Sequence, residues 1–170
     1  VSPTYAPLAE KLAESKWTIL GDLARLDPAD VGLHEAFEVP ERDACWRREL
    51  DKWEAILNEE ERTPQPVTRA AIRWLRRNPP PPPARVGVVH GDYRSGNFLF
   101  DKEGVQAILD WEMAHLGDPL EDLGWSLSPL WHFAKDERAG GLVLPDQAIA
   151  IWEKAAGREA DREALYWWQL

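Results

Sequence analysis

Cysteine, methionine and long apolar runs are nearly absent from this sequence, and basic residues are outnumbered. Cys45 is the single cysteine among 170 residues, so no disulfide can form within the chain and a reducing compartment is expected. No apolar run approaches the roughly 20 residues that cross a bilayer. The N-terminus also lacks the basic and then apolar order of a secretion signal. Together these absences predict a cytoplasmic protein with no membrane partner.

The charge balance disfavours a further class of partner. The chain carries 20 lysines and arginines against 30 acidic residues, a formal net charge of −10 at pH 7. A nucleic-acid backbone requires clustered positive charge, so we expect no nucleic-acid partner. The acidic excess is strong over residues 101–140, which hold nine acidic and three basic side chains. Such a region attracts metal ions and a cationic ligand, and a merely solvated acidic surface is an equal alternative.

Most of the chain has the periodicity of amphipathic helices, and 44% hydrophobic residues are enough for one domain with its own core. Apolar residues at helical spacing predict helices over residues 5–26, 43–60, 66–77, 119–133 and 145–156, with a last helix from about residue 160. In the second helix, Trp53 is predicted to face the core and Glu49 to face solvent. Val67 in the third helix and Leu130 in the fourth are predicted to be buried.

Residues 86–118 depart from helical periodicity. Gly87–Val89 is a short apolar run that predicts a buried strand. Two further apolar runs, residues 98–100 and 105–109, predict a β-hairpin. Gly104 stands in the connecting turn, where a positive φ is needed. The sequence therefore predicts a small β-region between two helical regions.

The predicted hairpin brings oxygen ligands together. If Phe100 pairs with Val105, Asn97 faces Ile108 and Asp110 lies about two residues beyond that partner. At about 3.3 Å per residue, the side chains of Asn97 and Asp110 are close enough to share one small cation. Amide and carboxylate oxygens suit Mg²⁺, which usually binds one or two carboxylates together with substrate phosphates. The spacing therefore predicts a magnesium site at one end of the hairpin.

The polar loop before the hairpin and the segment after it carry a compound motif. Residues 90–97, HGDYRSGN, have the H-x-D-x-x-x-x-N spacing of a kinase catalytic loop. Residues 110–112, DWE, follow the hairpin where kinases carry a magnesium-binding Asp, and residues 117–124 are GDPLEDLG. Each short motif alone is common in turns. In this joint order, over about residues 86–126, they resemble the aminoglycoside phosphotransferase and choline kinase group of small-molecule kinases.

The resemblance implies an α+β fold that is mostly α. The fold would be the C-terminal lobe of a protein-kinase-like fold, with helical residues 1–78, the catalytic loop and hairpin over 86–118, and a helical substrate-side region over 119–170. The glycine-rich loop and strand lysine that hold ATP phosphates in kinases are missing upstream, where Gly21 and Gly32 are the only glycines. We therefore expect the N-terminal ATP lobe to be absent from this chain, and the isolated chain to be inactive.

The same resemblance implies a role for each matching residue. Asp92 would accept the proton of the acceptor hydroxyl, and Arg94 would stabilise charge on the transferred phosphoryl group. Asn97 and Asp110 would hold Mg²⁺ on the phosphates of ATP. Glu112 is a weaker candidate for a further metal contact.

Other residues of the motif region are expected to be structural. His90 would hold the catalytic loop through hydrogen bonds, and Asp122 would cap the backbone of that loop. Trp125 and Trp131 are expected mainly to pack in the core, with cation–π contact as the alternative. The remaining histidines are His34, His115 and His132, and they form no cluster with metal-ligand spacing. We expect His34 and His115 to lie in loops. All three are expected to be structural or surface residues.

Three functions follow from these observations. The leading one is ATP-dependent transfer of the γ-phosphoryl group to a hydroxyl of a small acceptor, such as an aminoglycoside, an amino alcohol, a sugar-like alcohol or a hydroxyacyl compound. The alternative is a non-catalytic binding module, which the missing ATP lobe favours and the joint presence of Asp92, Asn97 and Asp110 disfavours. A metal-dependent phosphohydrolase with His90 and Asp92 as ligands is the third, for which too few ligands cluster.

Overall fold

The computed structural model describes residues 6–131 and 136–170. Helices make up most of this part of the chain, and the strands are short, as predicted. The helices are α1 (Ala9–Arg25), α2 (Leu33–Ala36), α3 (Cys45–Glu60), α4 (Pro66–Arg77), α5 (Leu120–Leu127), α6 (Pro145–Ala156) and α7 (Arg162–Trp168). The strands are β1 (Gly87–Val89), β2 (Phe98–Asp101), β3 (Gly104–Ile108) and β4 (His115–Gly117). No helix in the described ranges is long and apolar enough to cross a membrane.

The main core forms where α1 crosses α6. Trp17 of α1 and Trp152 of α6 are both fully buried there. The two backbones approach closely at Gly21, where an added Cβ would lie 2.6 Å from the Cβ of Ala155 and 2.7 Å from the Trp152 carbonyl oxygen. Glycine is therefore required at this crossing, because any side chain would push the two helices apart.

The β-hairpin has the predicted pair of Phe100 with Val105, but its register differs by one residue from the prediction towards Asn97. A bulge before Phe100 shifts the pairing between the two strands. Asn97 therefore opposes Leu109 rather than Ile108, and the Leu109 N–H donates to the Asn97 carbonyl oxygen at 2.8 Å. Asp110 follows directly after this partner, one residue nearer to Asn97 than predicted. The bulge thus tightens the end of the hairpin that carries the predicted magnesium ligands.

His115 lies in a strand and not in a loop, which corrects the prediction. β4 pairs antiparallel with β1, and His115 stands opposite Val89. A strand of three residues, His-Leu-Gly, has too little alternation to be detected by periodicity. The pairing matters for the site because it brings the start of α5 next to the loop that follows β1.

Helices α3 and α4 bury Leu50 and Leu75 as predicted, but other positions differ from the prediction. Glu49 is buried and Trp53 is exposed on α3, whereas Val67 is exposed on α4. The two helices pack beside each other and against α7 rather than inside the main core, so each buries only a narrow face. Four residues form this second, smaller core: Leu50, Ile72, Leu75 and Trp167.

Helix α5 is shorter than predicted. It ends at Leu127, and Leu130, predicted to be buried, is 73% exposed in the short turn that follows. The predicted helix end at residues 132–133 lies outside the described residues, as does His132. Within α5, Gly124 packs so closely on α7 that an added Cβ would lie 2.9 Å from the Cβ of Trp168.

Candidate active site

The carboxylate of Asp92 is held by three donors from two elements. Asn97 Nδ2 donates to Asp92 Oδ2 at 2.8 Å and also to the Asp92 carbonyl oxygen at 2.9 Å. Arg94 Nε donates to Oδ2 at 2.9 Å and to Oδ1 at 3.2 Å. From α5, the indole N–H of Trp125 donates to Oδ1 at 2.9 Å. The orientation of this carboxylate is therefore fixed from several sides.

Two tryptophans contact the predicted catalytic loop, residues 90–97. The guanidinium carbon of Arg94 lies 5.1 Å from the centre of the Trp131 ring, within the range of a cation–π contact. Trp125 and Trp131 meet edge to face, with ring centres 5.1 Å apart. Both rings are half-buried. Core packing was the main role predicted for these residues, but neither belongs to a cluster of buried apolar side chains in the described part of the chain, and they contact Asp92 and Arg94 instead.

His90 is fully buried and uses both ring nitrogens. Its Nε2 lies 2.8 Å from the Leu109 carbonyl oxygen, and its Nδ1 accepts the Asp92 N–H at 3.1 Å. Because Nδ1 accepts, the proton must be on Nε2, which donates to Leu109. The ring also packs on Trp111, with centres 4.6 Å apart. This arrangement joins the loop to the hairpin and leaves no nitrogen of His90 free to bind a metal.

Asp122, at the start of α5, binds the backbone of the catalytic loop. Its carboxylate accepts the His90 N–H at 2.6 Å and the Gly91 N–H at 2.9 Å. Gly91 has φ +85, and a Cβ there would lie 2.8 Å from the Cβ of Met113, so this turn requires glycine. Burial raises the pKa of Asp122 to about 7, although these two hydrogen bonds oppose the rise.

Asn97 and Asp110 have oxygens available for a cation. Both amide hydrogens of Asn97 are used on Asp92, so its Oδ1 remains as an acceptor. Asp110 has φ +66, the only positive φ of a non-glycine residue among those described, and its side chain is exposed. Such strained backbone is often found at functional sites. Glu112 is exposed in the next turn. Oxygen donors at adjoining positions fit Mg²⁺.

The structure thus brings Asp92, Arg94 and Asn97 into one hydrogen-bonded group. Asp110 joins this group through the backbone pairing of Leu109 with Asn97. Glu112 is exposed two residues beyond Asp110. The chemical roles of these residues stay predictions.

Lys16 is a residue of the site region that sequence reasoning missed. It is fully buried beneath the catalytic loop, and its Nζ lies 3.2 Å from Ser95 Oγ. Its ammonium also lies 4.7 Å from the Trp17 ring. Burial lowers the pKa of Lys16 to about 7. A signal was present, because Lys16 stands four residues from Leu12 and from Leu20 on the apolar stripe of α1.

Comparison with known sequences places these features in a family. The profile of the "Phosphotransferase enzyme family" matches residues 2–168. A curated relative, acyl-CoA dehydrogenase family member 10 of Mus musculus, is 36% identical over 127 residues. That match covers 73% of this chain and 12% of the relative. The chain therefore spans about an eighth of the length of this relative.

Solved structures share the fold. A candidate aminoglycoside phosphotransferase from Ralstonia eutropha superposes with a TM-score of 0.78 at 22% identity, covering 98% of this chain and 54% of that one. The APH(2″)-IIa protein in a ternary complex with streptomycin and ATP superposes with a TM-score of 0.53 at 17% identity, covering 97% of this chain and 53% of that one. The chain spans about half the length of these structures.

Proposed function

The chain belongs to the phosphotransferase enzyme family, and on that premise we propose that it is the acceptor-side lobe of an ATP-dependent small-molecule kinase. It would transfer the γ-phosphoryl group of ATP to a hydroxyl of the acceptor. The observation that supports this proposal most is the Asp92 carboxylate, which Asn97, Arg94 and Trp125 orient through hydrogen bonds. The ATP-covering lobe would be supplied by another part of the same polypeptide in the cytoplasm.

Asp92 would act as the base that accepts the hydroxyl proton. In the present arrangement its oxygens are occupied by Arg94, Asn97 and Trp125. We propose that Arg94 turns from Asp92 to the phosphates when ATP binds, because a triphosphate competes strongly for a guanidinium. This movement would free a carboxylate lone pair for the acceptor and place positive charge beside the transferred group.

Magnesium would be held by Asn97 and Asp110, with Glu112 as the weaker candidate, and it would supply charge neutralisation at the ATP phosphates. The strained backbone of Asp110 directs its exposed carboxylate without a competing partner among the described residues. Asn97 would have a double role, since its amide hydrogens orient Asp92 and its Oδ1 stays available.

Two observations favour different acceptors. The acidic excess of residues 101–140 favours a cationic alcohol such as an aminoglycoside or an amino alcohol. The relative named for acyl-CoA dehydrogenation makes a hydroxyacyl compound an acceptor of equal interest. A sugar-like alcohol completes the set of compounds to be tested.

The test is ATP consumption by the full polypeptide that carries this chain, measured with Mg²⁺ over this panel of acceptors. Asp92→Asn should lower kcat by at least about a thousandfold while ATP binding is nearly unchanged. A matched control is Asp101→Asn, an exposed carboxylate of the hairpin turn, which should leave turnover unchanged. Turnover retained in Asp92→Asn would remove Asp92 from the role of base.

A non-catalytic binding module is the second candidate, and the Arg94–Asp92 ion pair favours it. The pair occupies the carboxylate that a kinase needs free. Calorimetry with ATP, with and without Mg²⁺, separates the two functions. A kinase should bind ATP more tightly with Mg²⁺, whereas a binding module should show no metal-dependent nucleotide binding.

A further inference from the structure

Three side chains of ligand type meet behind the catalytic loop, where α3, β4 and α5 come together. Glu49, His115 and Glu121 each offer one atom, and these atoms lie within 4.8 Å of one another. The side chains are 8%, 10% and 14% exposed. We propose that these three residues form a binding site for one divalent transition-metal ion of the Zn²⁺ class, separate from the predicted Mg²⁺ site.

The two distances from His115 match the edges of a tetrahedral coordination shell. His115 Nε2 lies 3.2 Å from Glu121 Oε2 and 3.4 Å from Glu49 Oε1. A charge-assisted N–H···O hydrogen bond is shorter, about 2.7–2.9 Å. A tetrahedral Zn²⁺ ion with bonds of about 2.0–2.1 Å instead separates its ligand atoms by about 3.3–3.4 Å. The imidazole is therefore spaced from both carboxylates as a ligand of a shared ion would be.

The orientation of His115 supports the same site. Its Nδ1 lies 3.0 Å from the Met113 carbonyl oxygen. When Nδ1–H donates to this carbonyl, Nε2 presents its lone pair to the two glutamates. Histidine ligands of metals are commonly held in this way, by a hydrogen bond from the nitrogen that does not bind.

The charges at the site attract a cation. Two carboxylates with little exposure to water flank one imidazole, and burying like charges together is unfavourable unless they are compensated. Lys52 Nζ lies 2.8 Å from the second oxygen of Glu49, on the more exposed side of the cluster. Glu121 has no cationic partner besides His115 among the described ion pairs. A divalent ion between Nε2 and the two carboxylates would neutralise both glutamates.

The donor set selects the class of metal. Imidazole nitrogen binds Zn²⁺ and its transition-metal neighbours well, whereas Mg²⁺ and Ca²⁺ prefer oxygen donors alone. Three protein ligands leave one tetrahedral position for water. The ligands come from three elements, so a bound ion would tie α3 to β4 and α5. Glu121 directly precedes Asp122, which binds the backbone of the catalytic loop, so this link would stabilise the loop from behind.

The test is calorimetric titration of ZnCl₂ into the chain after treatment with a chelator, in the presence of excess Mg²⁺ that occupies the predicted magnesium site. We expect one Zn²⁺ per chain with a dissociation constant of about 1 µM or lower. His115→Gln and Glu121→Gln should each weaken this binding by at least about a hundredfold, since even outer-shell partners of a metal are worth 10- to 100-fold. Titration with Co²⁺ should give the visible absorption of a tetrahedral ion.

A control variant and a fold check make the outcome decisive. His34→Gln removes an exposed imidazole on α2 and should leave Zn²⁺ affinity unchanged. Circular dichroism establishes that each variant is folded, and Glu49→Gln replaces any variant that is not. If the folded parent chain does not bind Zn²⁺, protonated His115 forms an ion pair with the glutamates, and the proposal is overturned. Binding that persists unchanged in all three ligand variants would overturn it as well. Neither result depends on phosphoryl transfer.

Discussion

The catalytic loop and the α3–α4 pair are held in opposite ways. In the loop, buried groups such as His90 and the Asp122 carboxylate are satisfied by hydrogen bonds that solvent cannot replace. Between α3 and α4, ion pairs such as Arg76–Glu54 lie at the surface beside a small apolar core. Breaking a buried hydrogen bond leaves a polar group without a partner and lowers the free energy of unfolding by about 1–3 kcal/mol. An exposed ion pair contributes about 0–1 kcal/mol to this free energy. Substitutions should therefore have larger effects in the loop.

The largest effect on stability is expected from Asp122→Ala. This change leaves the buried N–H groups of His90 and Gly91 without a hydrogen-bond acceptor. The free energy of unfolding should therefore fall by about 2–5 kcal/mol. Urea denaturation followed by circular dichroism measures the loss. Glu59→Ala, at an exposed position of α3, is the control and should change stability by less than about 0.5 kcal/mol. Equal effects of the two changes would contradict the contrast between loop and surface.

Lys16 makes the stability of the loop region depend on pH. Helices α3 and α4 contain no buried lysine that would produce the same dependence. Its folded pKa is lowered to about 7 from 10.5, so between these values the unfolded chain binds a proton that the folded chain does not. Stability should therefore rise with pH across this window, by at most about 1.4 kcal/mol per pH unit. Lys16→Met should remove this rise in denaturation curves recorded from pH 6 to 10. An unchanged slope in the variant would assign the dependence to other groups.

Trp125→Phe tests whether the indole N–H positions Asp92. The change keeps the aromatic ring and removes the donor to Asp92 Oδ1. In the full polypeptide we expect kcat/KM to fall about tenfold, the equivalent of about 1.4 kcal/mol of lost transition-state stabilisation. The matched control is Trp53→Phe, an exposed tryptophan of α3. A similar fall in both variants would mean that the N–H of Trp125 has no special role.

The smallest effect is expected from Arg76→Gln. Arg76 pairs with Glu54 and Asp51 of α3, and all three side chains are about a third exposed or more. Solvent screening should hold the loss of stability below about 1 kcal/mol. Thermal unfolding at low and high salt measures it, and the difference from the parent chain should shrink at high salt. A loss as large as that of Asp122→Ala would remove the distinction between the two regions.

Much of the fold was predictable because local signals were strong. The bounds of α4 and α6 were predicted from a proline at the start of each helix and, for α6, from Gly157 just past its end, which has φ +66. The strand Gly87–Val89 and the hairpin were predicted from apolar runs and Gly104. The phosphotransferase family was predicted from the compound motif of residues 90–124 and is confirmed.

The errors concern residues whose surroundings come from distant parts of the chain. Glu49 was predicted to face solvent because helical charges usually do, yet it is buried opposite His115 and Glu121. The β4 strand that carries His115 was missed because it is short. Lys16 was treated as an ordinary helical lysine although it lies under Ser95. In each case the partner is between 26 and 79 residues away along the chain, and no local pattern encodes it.

The sequence by itself determined the helices, the hairpin and the order of motif residues, because these depend on periodicity, turn chemistry and spacing along one short segment. Only the tertiary structure decided which polar side chains are buried and what they meet. Burial depends on how distant elements pack, and the environment of a charge depends on groups that the chain brings from elsewhere. Trp125 at Asp92 and His115 between two glutamates are products of packing, and they give this chain its most specific chemistry.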